Sequence, residues 1–378
     1  MDYLPSHLRE RLEYLRSFFA PHTTRVYMVG GAVRDMIRNA IGQEDAPIVD
    51  LDIEVYGIEP EQFDRLMEEL GARGVGKSFF VYKWGEHIDI SLPRLESKVA
   101  PGHRGFVVRP ARDEREASIR RDFRMNALML NIFDAKLLDF WGGVEDIQNR
   151  LIRIIDEERF KEDSLRVLRG MQFSARFGYR IERRSCEVMR QIPLDDLSYD
   201  RIFWEFEKMF EARYLHYGLY AMQSLRIDRK IFGLTLGRKL FFKSALELAK
   251  NRSGFEKELY SYYFLYIVAK NAHERFEHFL DRLHAPNRYY KAFRGQKALP
   301  KRRSDRFLAA LAMRYPLKNW LGNYKEDVKI RAKRFGFWEE KFAPVKASDL
   351  LEEGYSGKEL GEELRRRTLQ IIKERFSV

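Results

Sequence analysis

The chain has 378 residues and a formal net charge of +12, with 45% hydrophobic and 33% charged residues. That length supports two or more domains with a sizeable core and excludes a largely disordered chain. A single cysteine, Cys186, excludes an internal disulfide and a thiolate zinc cluster; the charged start and the lack of any membrane-length apolar run point to a cytoplasmic protein with no membrane partner.

In chain order, residues 1–20 read as a leading helix with Leu12, Leu15 and Phe18 or Phe19 inward. Residues 25–29 read as a strand, 32–39 as a helix and 51–56 as a second strand, and Pro60 opens a helix that Gly71 stops. Residues 79–83 and 87–90 form a predicted hairpin around Trp84, Gly85 and Glu86. Residues 93–117 show no clear period and are expected as an irregular or mobile connection. Ser118 is expected to cap a helix running to Met129, followed by strands near 130–133 and 137–140. Beyond about residue 155, helical spacing dominates over 162–176, 184–191, 198–215, 243–250, 254–282 and 303–314.

Within PIVDLDIEVYG, residues 47–57, Asp50 and Asp52 alternate along a short strand, so both carboxylates share one face while Leu51 and Ile53 take the other. Neighbouring carboxylates repel and are costly to desolvate, which calls for a cation. Mg²⁺ with nucleotide phosphates fits, because it accepts a few carboxylates and leaves positions for water and phosphate. Upstream, VYMVGGAVRD places Gly30 and Gly31 between strand and helix, where helix-start N–H groups hold phosphate, with Arg34 on the first turn. Asp89, in HIDIS, is a third carboxylate for the metal or for the attacking 3′-hydroxyl, or a plain strand-end residue.

The segment IRRDFRMNALML presents Arg121, Asp122, Arg124 and Asn126, either a grip on triphosphate and sugar or a structural ion-pair network. Gly142 and Gly143 in DFWGGVEDIQN read as structural. In FKEDSLRVLRGMQFSARFGY, Asp163 and Arg166 lie three apart, with Arg169 and Gln172 continuing the face. An acceptor beside a donor fork matches the edge that cytosine and adenine share, an amino group next to a ring nitrogen; the alternative is an exposed helical ion pair. Arg201 and Glu205 buttress that helix or bridge within their own. The histidines build no metal phosphohydrolase site. Residues 291–346 hold sixteen Lys or Arg against five Asp or Glu, interleaved with Tyr289, Phe293, Trp320, Tyr324 and Phe337 among others, which suits a polyanion or a solvated surface over an aromatic core.

Together these segments resemble the class II tRNA nucleotidyltransferases, the CCA-adding enzymes and bacterial poly(A) polymerases. The likeness rests on VGGAVRD, DLDIEVYG, SLPRLESK with GHRGF, RRDFRMNAL, DFWGGVEDI, EDSLRVLRGMQFSARFGYRIE, DRIFWE and the tail SDLLEEGYSGKELGEEL. It implies an α+β fold: a nucleotidyltransferase head with a small mixed β-sheet at 1–155, then an all-helical neck (156–225), body (226–320) and tail (321–378). It further implies Mg²⁺ on Asp50 and Asp52; a catalytic role for Asp89 and Arg121; nucleotide contacts from Gly30, Gly31, Arg34, Arg121, Asp122, Asn126, Asp163, Arg166 and Arg169; CTP and ATP as substrates; and tRNA as partner. Two departures stand out: Arg124 where the family has threonine, and Ala347–Ser348 where it has Gly-Lys. An A-adding or CC-adding specialist, a poly(A) polymerase and a non-catalytic RNA-binding module are the rival readings, the first pair differing in the loop around 95–116. Monomer and homodimer are both open.

Overall fold

The structure is a computed structural model that describes residues 3–44, 47–74, 81–98 and 106–376. It divides into two units, Met1–Pro193 and Leu194–Val378.

In the first unit, α1 (Ser6–Phe19) turns Leu8, Leu12, Leu15 and Phe19 inward at helical spacing. The next elements are β1 (Val26–Val29), α2 (Gly31–Ala40), β2 (Leu51–Val55) and α3 (Pro60–Glu69), the last opened by its proline. They are followed by β3 (Arg73–Gly74), β4 (Val81–Lys83) and β5 (Ile88–Ser91). β4 and β5 pair antiparallel across Trp84–His87, the predicted hairpin. Phe79 and Phe80 lie outside the described residues, as does the GHRGF motif apart from Phe106.

Two expectations change here. Residues 93–117 carry an antiparallel ladder of β6 (Arg94–Lys98) with β7 (Phe106–Pro110), then a short α4 (Glu114–Ser118). Ser118 ends that helix instead of starting one, and residues 119–129 hold only a single 3₁₀ turn at Arg124–Asn126. The reason is tertiary: Phe123 is extended, bridges to Ile154, and buries its ring near Phe160 and Phe173. Asp122 fixes that kink by accepting from the N–H of Phe123 at 2.8 Å.

β8 (Met129–Asn131) and β9 (Leu137–Leu138) complete a mixed seven-stranded sheet of order β3-β4-β5-β2-β1-β8-β9, in which only β2 and β5 run parallel. This agrees with the expected head sheet. α5 (Gly143–Gln148), β10 (Leu151–Ile152), α6 (Glu157–Lys161), α7 (Leu165–Phe177), β11 (Arg180–Ile181) and α8 (Arg183–Gln191) follow. The composition break at 155 falls inside this unit, because β10 pairs with β11 and the Phe160 and Phe173 rings close on Phe123.

The second unit is helical among its described residues, as expected, from α9 (Tyr199–Glu211) through α10 (Leu215–Ser224), α11 (Ile227–Phe232) and α12 (Arg238–Asn251) onward. The helix expected over 254–282 is two, α13 (Tyr260–Ala272) and α14 (Phe276–Leu283), parted where His273 takes φ 58°. A non-glycine residue in the left-handed region caps the first helix and stops it. α15 (Asn287–Phe293), α16 (Asp305–Ala312), α17 (Glu326–Arg334), α18 (Ala347–Glu352) and α19 (Gly357–Arg375) complete the chain. No described helix is long and apolar enough to cross a membrane.

Tyr289, Phe293, Trp320, Tyr324 and Phe337 are all buried, so the aromatics among the basic residues are core. Several of the cations pair with acids, Arg331 with Asp305 and Arg303 with Asp327, while Lys301, Arg302, Lys333, Arg334, Lys341 and Lys346 are exposed. Trp320 is fully buried, packs near Phe307 and donates its indole N–H to the Lys297 carbonyl at 2.8 Å. Trp320→Ala is expected to cost about 3–5 kcal/mol, read as a lower urea midpoint of the helical signal with the first unit's sheet signal unchanged.

Candidate active site

Period-two alternation on β2 and its register with two neighbours assemble the site. β1 pairs with β2 so that Val29 faces Asp52, and β5 runs parallel to β2 with Asp89 beside Asp52. Val29 leads directly into Gly30, which has φ 69° and ψ −128° ahead of α2. A side chain at Gly30 would be strained by that backbone, and its Cβ would lie 3.0 Å from Arg121 Nη1 and 3.5 Å from Asp52 Oδ2. The glycine therefore leaves the space in which a guanidinium and a carboxylate meet at the start of a ten-residue helix.

Asp50 precedes β2, is largely solvent-exposed, and has Oδ1 3.0 Å from His87 Nδ1. Asp89 has Lys83 Nζ at 3.6 Å. Desolvation by the protein around it, reinforced by the charges of Asp89, Glu54 and Asp50, pushes the Asp52 carboxyl above its ordinary range against the pull of Arg121, although the residue still reaches solvent. Excess negative charge of this kind is what a divalent cation relieves. Among the described residues no group of three or more His, Cys, Asp or Glu side chains is placed to hold a metal ion. The donor set present, two carboxylates two residues apart, still fits Mg²⁺, which takes its remaining positions from water and phosphate.

The sequence reading passed over Glu54, the third acid in DLDIE. It is 3% exposed, accepts from Arg121 Nη2 at 2.9 Å and from the Tyr56 hydroxyl at 2.7 Å, and has Arg120 Nη2 at 3.5 Å. Burial alone would raise the Glu54 carboxyl, but Arg121, Arg120 and the Tyr56 hydrogen bond hold it below the usual range. The alternation of Asp50, Asp52 and Glu54 was the available signal.

Arg34, Asp122, Asn126 and Arg169 form one polar chain. Arg34 donates to both oxygens of Asp35 (3.0 and 2.8 Å) and to Asn126 Oδ1 at 2.7 Å. Asn126 donates from Nδ2 to Asp122 Oδ1 at 2.8 Å, and Arg169 donates from Nε to Asp122 Oδ2 at 2.7 Å. α2, the 3₁₀ turn and α7 are thereby tied together. Arg34 stacks over Phe177 and is itself buried, so its guanidinium is part of this framework.

Asp163 lies just ahead of α7 and accepts from the Leu165 N–H at 3.2 Å; Arg166 follows on the first turn. Arg166 directs its two terminal nitrogens to the carbonyls of Arg159 and Arg120 (2.6 and 2.7 Å). The expected pair is thus brought to one helix start. In the second unit, Glu205 accepts from Lys208, on its own helix, at 2.8 Å.

The two glycines of DFWGGVEDI are structural. Asp139 accepts from the N–H groups of Gly143 and Val144, and a Cβ on Gly143 would strike the Arg124 carbonyl oxygen. Arg124, the departure from the family pattern, flanks the buried Asp146 together with Arg153; burial raises the Asp146 carboxyl to about 6 despite both guanidinium groups.

Asp122 is also buried, a position that raises its carboxyl, yet Arg169, Asn126 and the Phe123 N–H hold it below the ordinary value. A depressed carboxylate adds stability that is complete above the unfolded value, about 3.9, and is lost as pH falls through the lower folded value. Asp122→Asn is expected to be less stable than the native chain by about 1.5–3 kcal/mol at pH 7. The gap narrows below about pH 4, and melting curves across pH 7 to 2.5 check both the offset and its convergence.

Residues 26–153 match the family described as the poly A polymerase head domain. The CCA-adding enzyme of Streptococcus agalactiae is 33% identical over 228 residues, covering 59% of this chain and 54% of that protein. The CCA-adding enzyme of Bacillus cytotoxicus is 32% identical over 248 residues, covering 64% and 60%. The chain spans about half the length of the curated relatives it matches. In fold, it is similar to the solved structure of the Bacillus stearothermophilus CCA-adding enzyme in complex with CTP, with a TM-score of 0.66, 20% identity, and coverage of 98% of this chain and 94% of that one.

Proposed function

We propose that this chain, which belongs to the nucleotidyltransferase family of poly(A) polymerase heads and CCA-adding enzymes, transfers CMP and AMP from CTP and ATP to the 3′ end of tRNA with release of pyrophosphate. The observation that carries the reading is the approach of Asp52 and Arg121 over the Gly30 turn, with Asp89 in register beside Asp52.

Asp50 and Asp52 are the residues that would hold Mg²⁺, which when bound supplies positive charge to the attacking 3′-oxygen and the departing pyrophosphate. The Gly30–Gly31 turn offers helix-start N–H groups to phosphate oxygens. Arg121, seated above that turn, adds donors that suit a triphosphate. Asp89, in register with Asp52, would orient the hydroxyl that attacks. Asp122, Asn126, Arg34 and Arg169 hold the triphosphate and ribose side of the pocket in one arrangement.

Base selection falls to Asp163 and Arg166 at the start of α7. A carboxylate beside a guanidinium accepts from an exocyclic amino group and donates to a ring nitrogen, the order that cytosine and adenine present and guanine and uracil reverse. The exposed Lys and Arg of residues 301–346 suit the phosphates of a folded RNA, read by shape more than by sequence.

The test is incorporation of labelled CTP and ATP, separately and together, into tRNAs ending before CCA, after C and after CC. Extension of all three to one CCA end is the expected result. Addition of A to the CC-ended tRNA alone, or of CC without A, would reassign the chain to a specialist of the same family. Long A tails on varied RNAs would favour a poly(A) polymerase, and no incorporation with Mg²⁺ would sink the enzymatic reading. Asp52→Ala is expected to abolish incorporation while leaving tRNA retention on a filter unchanged, whereas a binding module would lose nothing.

A further inference from the structure

The geometry points to Glu54 as a positioning residue: we infer that it holds the Arg121 guanidinium beside Asp52 without letting it close on Asp52, so that the Asp52 carboxylate stays available to a divalent cation. The inference deepens the proposed nucleotidyl transfer and rests on that reading of Asp50 and Asp52.

Asp52 and Glu54 stand two apart on one strand, so their Cα atoms are about 7 Å apart on the same face. A guanidinium between them has a choice. Left to itself it would take the better-placed carboxylate in a two-pronged pair, the strongest arrangement open to it. Arg121 is anchored to the deeper one: Nη2 donates to Glu54 Oε1 at 2.9 Å, while Nη1 sits above Gly30, on the Asp52 side. Two further contacts fix Glu54 in place as a charged acceptor. The Tyr56 hydroxyl pins its second oxygen at 2.7 Å, and Arg120 adds positive charge at 3.5 Å. Glu54 is 3% exposed, so its attraction for Arg121 is little screened by water, whereas Asp52 opens to solvent.

Glu54 touches neither the space over Gly30 nor Asp50, so its effect on the reaction passes through Arg121. Remove its charge, and Arg121 swings its full fork onto Asp52 and competes with the metal. A partner one shell out from a metal ligand is typically worth about 10- to 100-fold in metal affinity.

The probe is Mn²⁺ alone, titrated into the full chain without nucleotide and followed by electron paramagnetic resonance of the free ion. Glu54→Gln is expected to weaken Mn²⁺ binding by about 10- to 100-fold. Glu54→Asp keeps the charge but withdraws the acceptor by one methylene, and it should weaken binding too. In an Arg121→Ala background the same Glu54 changes should have no further effect, because the competitor is gone. The incorporation lost in Glu54→Gln should return as Mg²⁺ is raised, which damage to folding would not do. Should Glu54→Gln fail to fold, Glu54→Asp and the Arg121→Ala pair carry the test. Unchanged Mn²⁺ affinity in the Glu54 variants, or an equal loss with Arg121 absent, overturns the inference. Absence of Mn²⁺ binding by the native chain overturns instead the metal reading on which it rests.

Discussion

Two acids at alternate positions of one short strand, with a third in register on the next strand, repel one another, and the arginine that answers them organises this end of the sheet. Asp89 and Glu54 both press on the charge of Asp52, a repulsion that a low-dielectric site screens poorly. Arg121 lies against Glu54 and over the Gly30 turn, and its charge lowers the cost of keeping Asp52 ionised. The glycine is required for the same reason, because a side chain there would occupy the space the guanidinium fills. Strand alternation, the positive φ at Gly30 and the buried ion pair are three expressions of one electrostatic constraint.

A second polar chain fixes what surrounds that constraint. Asp122 receives from the Phe123 N–H, Asn126 and Arg169, and Asn126 in turn receives from Arg34. Every link is charged or fully bonded, which is the condition under which burial of polar groups specifies a single arrangement. The chain explains why residues 119–129 abandon their helical spacing: a continuous helix would give up the extended Phe123 and the carboxylate bond to its N–H. It also explains why the first unit runs on to Pro193, since α7 is attached to the 3₁₀ turn through Arg169 and through the Phe123 and Phe173 rings.

The β1–Gly30–α2–β2 run could be read directly from residues, because strand alternation and a glycine before an amphipathic turn are local signals. So could the placing of Asp52 and Asp89 on strands and of Asp50 just ahead of one. Glu54 escaped because a third acid on a strand reads as solvent-facing; only the register with β1 and β5 shows that position 54 is interior. The ladder between Arg94–Lys98 and Phe106–Pro110 escaped because neither strand has a clean period of its own. The break between α13 and α14 escaped because His273 takes a left-handed conformation that glycine or asparagine would have announced. The spacing of Asp163 and Arg166 is a local signal, but their place at a helix start, with Arg166 bonded to two backbone carbonyls, follows from tertiary contacts with Arg159 and Arg120.

The charge distribution reconciles a basic protein with an acidic centre. A net charge of +12 attracts polyanions from a distance, but at physiological salt that field decays over about 8 Å. An approaching triphosphate therefore responds, once close, to the few groups lining the Gly30 turn. There the carboxylates of Asp50, Asp52 and Asp89 outnumber Arg121, and phosphate would be repelled by the strand edge alone. The helix-start N–H groups and the Arg121 donors would offset part of that repulsion, and a divalent cation held by Asp50 and Asp52 would supply the positive charge to offset the rest. A site with fewer acids would bind the triphosphate more readily but would have nothing to hold the cation in line with it. In the proposed reaction the surplus of negative charge at the strand edge would make nucleotide binding depend on the metal, and the basic surface of the second unit would be left to meet the RNA.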